Sequence, residues 1–134
     1  MTPFEKHAWF NLGVLILALG LIGPTVVLVE GNWYLMPFCL LGLWTLGPIF
    51  YNKESLIDER AQAIQRQATR IAIWCYWLLF ILAGFIAWLL CRSLETIPPF
   101  VIPLLVFGGF GLFVLIHAGS TIVLHRLENW YAGH

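Results

Sequence analysis

Four long apolar runs alternate with short polar segments along the chain. The runs cover about residues 8–29, 33–51, 71–91 and 100–124, and each has close to the ~20 residues that a helix needs to cross a bilayer. Glu30-Gly31-Asn32 forms a polar turn after the first run. The pattern predicts an all-α integral membrane protein with four transmembrane helices, arranged as two antiparallel hairpins in a single domain.

The longest polar segment, about residues 54–70, has the spacing of an amphipathic helix. Apolar residues recur there at alternating steps of four and three, on one face of a helix: Ile57, Ala61, Ile64, Ala68 and Ile71. Ser55 and Asp58 resemble a capping box at its start. No Pro interrupts the chain from Glu54 to Cys91, and Gly84 is its single glycine, so we expect one continuous helix whose first part leaves the membrane.

Composition and charge exclude two classes of protein and orient the chain. Hydrophobic residues make up 60% of the chain and charged residues 10%, whereas about 25% of the residues of a soluble domain are charged. This composition excludes a soluble globular domain. The seven basic and seven acidic residues leave no excess charge for binding nucleic acid. Every basic residue except Arg92 falls on one side of the four predicted spans, so the positive-inside rule predicts a cytoplasmic amphipathic helix and cytoplasmic N- and C-termini.

All three cysteines and ten of the twelve glycines lie in the apolar runs. Cys39, Cys75 and Cys91 lack the spacing of metal ligands, and we expect them to be small buried hydrophobic residues. We expect the glycines of the runs to let helices approach closely, as small residues do in membranes.

Histidines are the candidate chemical groups, and each of them has either a structural role or a role in binding a ligand such as a haem. His117 lies within the fourth run, and we expect its imidazole to bond to a neighbouring helix or to reach the polar headgroups. Intramembrane ionisable residues often mark functional sites, so His117 is also a candidate ligand of a haem or a metal, or a proton relay. His7 and His125 fall at similar depth, which makes a bis-histidine haem site possible between the first and fourth helices. No catalytic constellation is present, so we expect no enzyme, no metal site and no cofactor.

The polar helix carries a short motif that resembles a known family. Asp58-Glu59-Arg60 is followed by Ile64 and Ala68 and then by the apolar sequence Ile71-Ala72-Ile73-Trp74. This resembles small prokaryotic four-span membrane proteins of unknown function that share an Asp-Glu-Arg triplet, an Ile and an Ala before a span. The resemblance implies the four-span layout and a place in the prokaryotic plasma membrane, and it implies no reaction.

Three functional hypotheses follow. In the leading one, a non-catalytic accessory or assembly protein docks a partner through Asp58, Glu59, Arg60, Ile64 and Ala68, either as a homodimer or within a larger membrane complex. The alternatives are a small oligomeric transporter or channel, and a haem- or quinone-associated electron-transfer subunit. Under the first, Ile64→Asp should be costly, whereas the neighbouring Gln65 should be exposed and tolerant of substitution.

Overall fold

The computed structural model describes residues 2–30, 32–50 and 58–133, and these form an all-α protein. Its elements are α1 (Pro3–Leu28), a 3₁₀ helix (Asn32–Leu46), α2 (Gly47–Phe50), α3 (Glu59–Cys91) and α4 (Val101–Ala132). Within the described ranges α1, α3 and α4 are long and apolar enough to cross a membrane.

Helix α1 begins five residues before the predicted first span, because its N-terminus is capped. The Glu5 backbone N–H donates to Thr2 Oγ1 at 3.2 Å, and the Thr2 N–H donates to Glu5 Oε2 at 2.8 Å. This reciprocal pair satisfies two of the backbone donors that a helix start leaves open. Pro3 occupies the first helical position, where its missing N–H costs nothing.

The second apolar run differs from the α-helix that its length suggests. Asn32–Leu46 is a 3₁₀ helix, and only Gly47–Phe50 is α-helical. Such a long 3₁₀ helix is uncommon. At about 2.0 Å per residue, its 15 residues extend about 30 Å, whereas 15 α-helical residues extend only about 23 Å.

Helix α3 joins the predicted amphipathic helix and the third span into one element. Its N-cap is Asp58, four residues after the predicted start at Glu54; Ser55 and the rest of 51–57 lie outside the described residues. The 33 residues of α3 extend about 50 Å at 1.5 Å per residue. A hydrocarbon layer is about 30 Å thick, so α3 is longer than the layer by several turns.

Helix α4 continues to Ala132, beyond the predicted end of the fourth span at 124, and it pairs antiparallel with α3. Arg60 near the start of α3 meets Glu128 near the end of α4. Further along, Gln65 meets Thr121, and the Phe80 ring lies against Gly109. The two helices therefore stay together along the polar part of α3 as well as along its apolar part.

The remaining contacts give the direction of every element. Ala8 packs with Ala118 and Ile122, and a second cluster joins α1, the 3₁₀ helix and α4 through Val14, Leu15, Phe38, Leu41 and Val114. Gly47 lies against the His7 ring, so residues 32–50 run back along α1. Helices α1 and α3 thus run one way, and residues 32–50 and α4 run the other.

This arrangement gives the molecule two distinct ends. The polar end holds the starts of α1 and α3 and the end of α4, and the Arg92 end holds the connection between α3 and α4. Burial is concentrated toward the polar end: Ala61, Ile64, Ala68 and Ala72 of α3 are buried, whereas no residue of the most apolar part of α3 is.

The expectation of burial is wrong for the cysteines, and the expectation of close packing holds for only some of the glycines. Cys39 and Cys75 are exposed, because they lie on helix faces turned away from the other described helices, and Cys91 is partly exposed. Lipid-facing and buried positions are equally apolar in a membrane protein. Close packing holds for Gly47, Gly109 and Gly111. A Cβ would have no neighbour within 4 Å at Gly13, Gly20, Gly23, Gly42, Gly84, Gly108 and Gly119.

Candidate functional site at the polar end

Buried and half-buried polar side chains from three helices gather at the polar end, and we call this group the polar layer. Its members are Glu5, His7 and Asn11 on α1, Gln65 and Thr69 on α3, and His117, Thr121 and His125 on α4. Burying polar groups is costly unless they are hydrogen-bonded. The partners of each member therefore decide what the layer can do.

His117 joins α4 to α3. Its Nε2 lies 3.3 Å from Gln65 Nε2 and 3.2 Å from Thr69 Oγ1. The ring also packs against Phe113 and Trp44, with centroid distances of 5.9 Å and 5.7 Å. The imidazole is thus bonded to a neighbouring helix, as we expected, and its partners belong to the polar part of α3 rather than to an apolar span.

Gln65 is the residue whose role the sequence analysis missed. We expected it to be exposed, but it is half-buried and bonds to two residues of α4. Its amide nitrogen meets His117, and its Oε1 accepts from the Thr121 hydroxyl at 3.4 Å. Gln65 follows Ile64 directly and lies at the edge of the buried stripe, close enough for its long side chain to reach α4.

His7 joins α1 to residues 32–50. Its Nε2 lies 3.3 Å from Asn11 Nδ2, one turn along the same helix. The ring also lies against Gly47, where an added Cβ would come within 2.8 Å of His7 Cε1. Any larger residue at position 47 would therefore require the His7 ring or the chain to move.

His125 differs from the other two histidines because its Nε2 is buried without a hydrogen-bond partner among the described residues. The residue is 2% exposed, and its ring stacks on Phe4 with centroids 6.0 Å apart and planes 11° apart. His7 and His125 therefore share the polar end, where His7 contacts Asn11 and Gly47 and His125 contacts Phe4. Across the described ranges, no group of three or more His, Cys, Asp or Glu residues is arranged to hold a metal ion.

The Asp58-Glu59-Arg60 triplet fixes the start of α3. Asp58 Oδ1 accepts from the backbone N–H groups of Arg60 and Ala61, at 3.1 Å and 3.3 Å, which is the role of an N-cap. The Arg60 guanidinium pairs with Glu128 of α4, and Glu59 is exposed. Two members of the triplet thus have structural partners.

The polar part of α3 has two opposite sides. An inward stripe of small and apolar residues is buried within the chain: Ala61, Ile64, Ala68 and Ala72. An outward face is exposed: Glu59, Ala63, Arg66, Gln67 and Arg70. At 100° per residue, the two sets lie on opposite sides of the helix.

Two shallow grooves meet at Arg66. The first, of about 340 Å³, is lined by Phe4, Gln62, Gln65, Arg66 and Thr69. The second, of about 490 Å³, is lined by Ala63, Arg66, Gln67, Arg70 and Ile71. The first opens beside the polar layer, and the second lies along the outward face.

Comparison with known proteins places the chain in a family. A family model described as a predicted membrane protein, DUF2178, matches residues 5–134. The chain belongs to this family. No curated protein and no solved structure matches it.

Membership in DUF2178 agrees with a small membrane protein of unknown function, as the sequence analysis expected. The match extends from Glu5 to the end of the chain, so it covers the polar end, the outward face and the loop that contains Arg92. The apolar helices α1, α3 and α4 are accordingly those of a membrane protein. The family description names no activity.

Proposed function

We propose that this DUF2178 protein crosses the prokaryotic plasma membrane four times, with its polar end in the cytoplasm. The alternating directions of α1, residues 32–50, α3 and α4 support four crossings. The 30 Å length of the 3₁₀ helix matches the hydrocarbon thickness. Basic residues support the orientation, because Lys6, Arg60, Arg66, Arg70 and Arg126 lie toward the polar end and Arg92 lies at the other.

Within this topology, we propose a non-catalytic accessory protein that docks a partner on the outward face of α3. The observation that carries the proposal is the division of this helix into two sides. Its inward stripe and Gln65 are held against α4, which fixes the helix. The exposed outward face is thereby held in one orientation, so a partner would meet an ordered surface and would lose little entropy in ordering it.

The structure changes which residues of the motif would touch a partner. Ile64 and Ala68 are buried within the chain, so in this proposal they hold the docking helix in place. Asp58 and Arg60 position its first turn. In this proposal the residues that contact the partner are instead Glu59 and the exposed residues Arg66, Gln67 and Arg70.

The charge of the outward face indicates an acidic partner segment. Arg66 and Arg70 lie one turn apart and make no ion pair within the described residues. Arg66 also borders both grooves, and arginine is common among the residues that dominate interface energies. A carboxylate-bearing segment of a second membrane-associated protein suits this surface, because guanidinium groups bind carboxylates in a bidentate manner.

Site-specific photo-crosslinking tests this proposal. A photoreactive amino acid at Gln67 in native membranes should give a discrete protein adduct, and Arg66→Glu combined with Arg70→Glu should abolish it. The matched control is Leu78, which is three turns further along the same face and 71% exposed. It should give no protein adduct, because it faces lipid.

The composition of the adduct at Gln67 also shows which molecule occupies the outward face. An adduct that contains only a second copy of this chain would make the outward face a homodimer contact. Labelled lipid alone would make it a headgroup surface. Either result, or equal adducts at Gln67 and Leu78, would overturn the docking of a separate acidic partner.

One observation favours a second candidate, the haem-associated electron-transfer subunit. His125 Nε2 is buried without a hydrogen-bond partner in the described part of the chain, as a nitrogen reserved for a metal would be. The absorption spectrum of the purified protein decides between the candidates. The docking proposal predicts no Soret band, whereas a band that disappears in His125→Leu or His117→Leu would establish the haem candidate.

A further inference from the structure

The Arg92 end contains an apolar groove that the docking proposal does not use. It has a volume of about 400 Å³ and lies between the last turns of α3 and the first turns of α4. Gly84, Ala87 and Cys91 line it from α3, and Val101 and Leu105 line it from α4. Its volume falls in the range of ~300–1,000 Å³ that is typical of ligand sites.

Gly84 explains how the groove is kept open. An added Cβ at Gly84 would have no neighbour within 4 Å, so this glycine does not serve close helix packing. Glycine is less favourable than alanine inside a helix, and at this position it leaves the wall of the groove without a side chain. Ala87, less than one turn further on, continues the shallow wall.

The depth of the groove matches one leaflet of a bilayer. Gly84 lies eight residues before Arg92, which corresponds to about 12 Å along the helix axis. Half of a hydrocarbon layer is about 15 Å thick. The groove therefore runs from the membrane surface through most of one leaflet, parallel to the helices.

Arg92 provides a charged group at the mouth of the groove. It is the C-cap residue of α3, it is exposed, and it makes no ion pair within the described residues. Glu95, the acid of the same loop, does not line the groove. A guanidinium beside an apolar channel of leaflet depth complements a phosphate attached to an acyl chain.

We infer that this groove binds one phospholipid, with an acyl chain along Gly84 and Ala87 and the headgroup phosphate on Arg92. The inference depends on the membrane location of the chain. It does not depend on the docking proposal or on which side the Arg92 end faces, because phospholipids are present in both leaflets.

Native mass spectrometry of the detergent-purified protein tests the site, with phosphatidylglycerol and diacylglycerol as probes. The wild type should retain one phosphatidylglycerol in preference to diacylglycerol. Gly84→Leu fills the groove and should remove bound lipid. Arg92→Gln should reduce phosphatidylglycerol retention about tenfold and abolish the preference, because it removes one charge-assisted bond to phosphate.

Gly20→Leu is the matched control, because Gly20 also lies in an apolar helix with no neighbour within 4 Å. It should retain lipid as the wild type does, and Gly84→Ala should show an intermediate loss if Gly84→Leu fails to fold. Equal retention in Gly20→Leu and Gly84→Leu would overturn the groove as the site. A loss in Arg92→Gln without a loss in Gly84→Leu would show anion binding by the loop alone and would also overturn it.

Discussion

Gln65 and His117 show how individual polar side chains connect the helices of this bundle. The Gln65 amide bonds both to His117 and to Thr121, so one side chain satisfies two groups of α4. An unpaired polar group in such a place costs more than a hydrogen bond contributes, because it loses its water without receiving a partner. Gln65 is therefore more important for stability than its place in a polar sequence suggests.

Replacing Gln65 with leucine should destabilise the protein. Gln65→Leu leaves the Thr121 hydroxyl and His117 Nε2 without the amide, at a cost of about 1–3 kcal/mol. Thermal denaturation in detergent, followed by size-exclusion chromatography, measures the change. The control is Gln67→Leu, because Gln67 is exposed on the opposite side of the same helix; equal melting temperatures of the two variants would contradict the hydrogen-bonded role of Gln65.

Replacing His125 should not destabilise the protein as replacing Gln65 does. Its ring already stacks on Phe4, and its Nε2 has no hydrogen-bond partner among the described residues. His125→Phe keeps the stacked ring and removes the unpaired nitrogen, so the free energy of unfolding should stay equal or rise by about 1 kcal/mol. The free energy of unfolding of His117→Phe, measured by the same denaturation assay, should fall because this substitution breaks the bond to Gln65. A marked loss of stability in His125→Phe would show that its nitrogen has a required partner.

At the scale of the element, α3 combines a tight contact in one half with a loose one in the other. Ala68 and Ala72 are fully buried where α3 packs in its polar half, whereas Ala83 in its apolar half is exposed. Small residues allow two helix backbones to approach closely. A larger side chain should therefore be tolerated in one half of the helix and not in the other.

Ala68→Leu should cost about 1–3 kcal/mol, because an enlarged side chain in a close-packed contact forces the helices apart. Ile64→Asp should cost about 2 kcal/mol or more, because it places an unpaired charge against the same apolar surface. Ala83→Leu, an identical substitution on the exposed part of α3, should leave the melting temperature unchanged. If Ala83→Leu were as harmful as Ala68→Leu, α3 would be packed along its whole length.

The elements also show what the sequence could predict. The buried stripe of α3 followed from the spacing of Ala61, Ile64 and Ala68, since helical periodicity depends on neighbouring residues. The role of Gln65 depends on His117, which is 52 positions away, and local spacing contains no such information. Apolar runs likewise do not show which face meets lipid, so exposed Cys39 and the open space at Gly84 were not foreseen.

At the scale of the whole molecule, the two ends are built differently. The polar end is held by the hydrogen bonds of the polar layer, by the Arg60–Glu128 pair and by close contacts such as Ala8 with Ala118. The Arg92 end has a groove between α3 and α4. The bundle is therefore fixed where it presents charged residues and open where we infer lipid binding.

The number of crossings can be decided by the positions of the two termini. Three crossings by α1, α3 and α4 alone would put Thr2 and Gly133 on opposite sides of the membrane, whereas a fourth crossing by residues 32–50 puts them on the same side. The antiparallel contacts of α1 with α4 favour the second arrangement.

Single cysteines at Thr2, Gln67, Ser93 and Gly133, in a chain whose own three cysteines are replaced by alanine, provide the test. A membrane-impermeant maleimide applied to intact cells should label only the Ser93 position. The other three should react after lysis, because the positive-inside rule places the end that holds Arg66, Arg70 and Arg126 in the cytoplasm. Labelling of Gly133 but not Thr2 from outside would show three crossings. This result would contradict both the antiparallel arrangement of the helices and the proposed cytoplasmic docking surface.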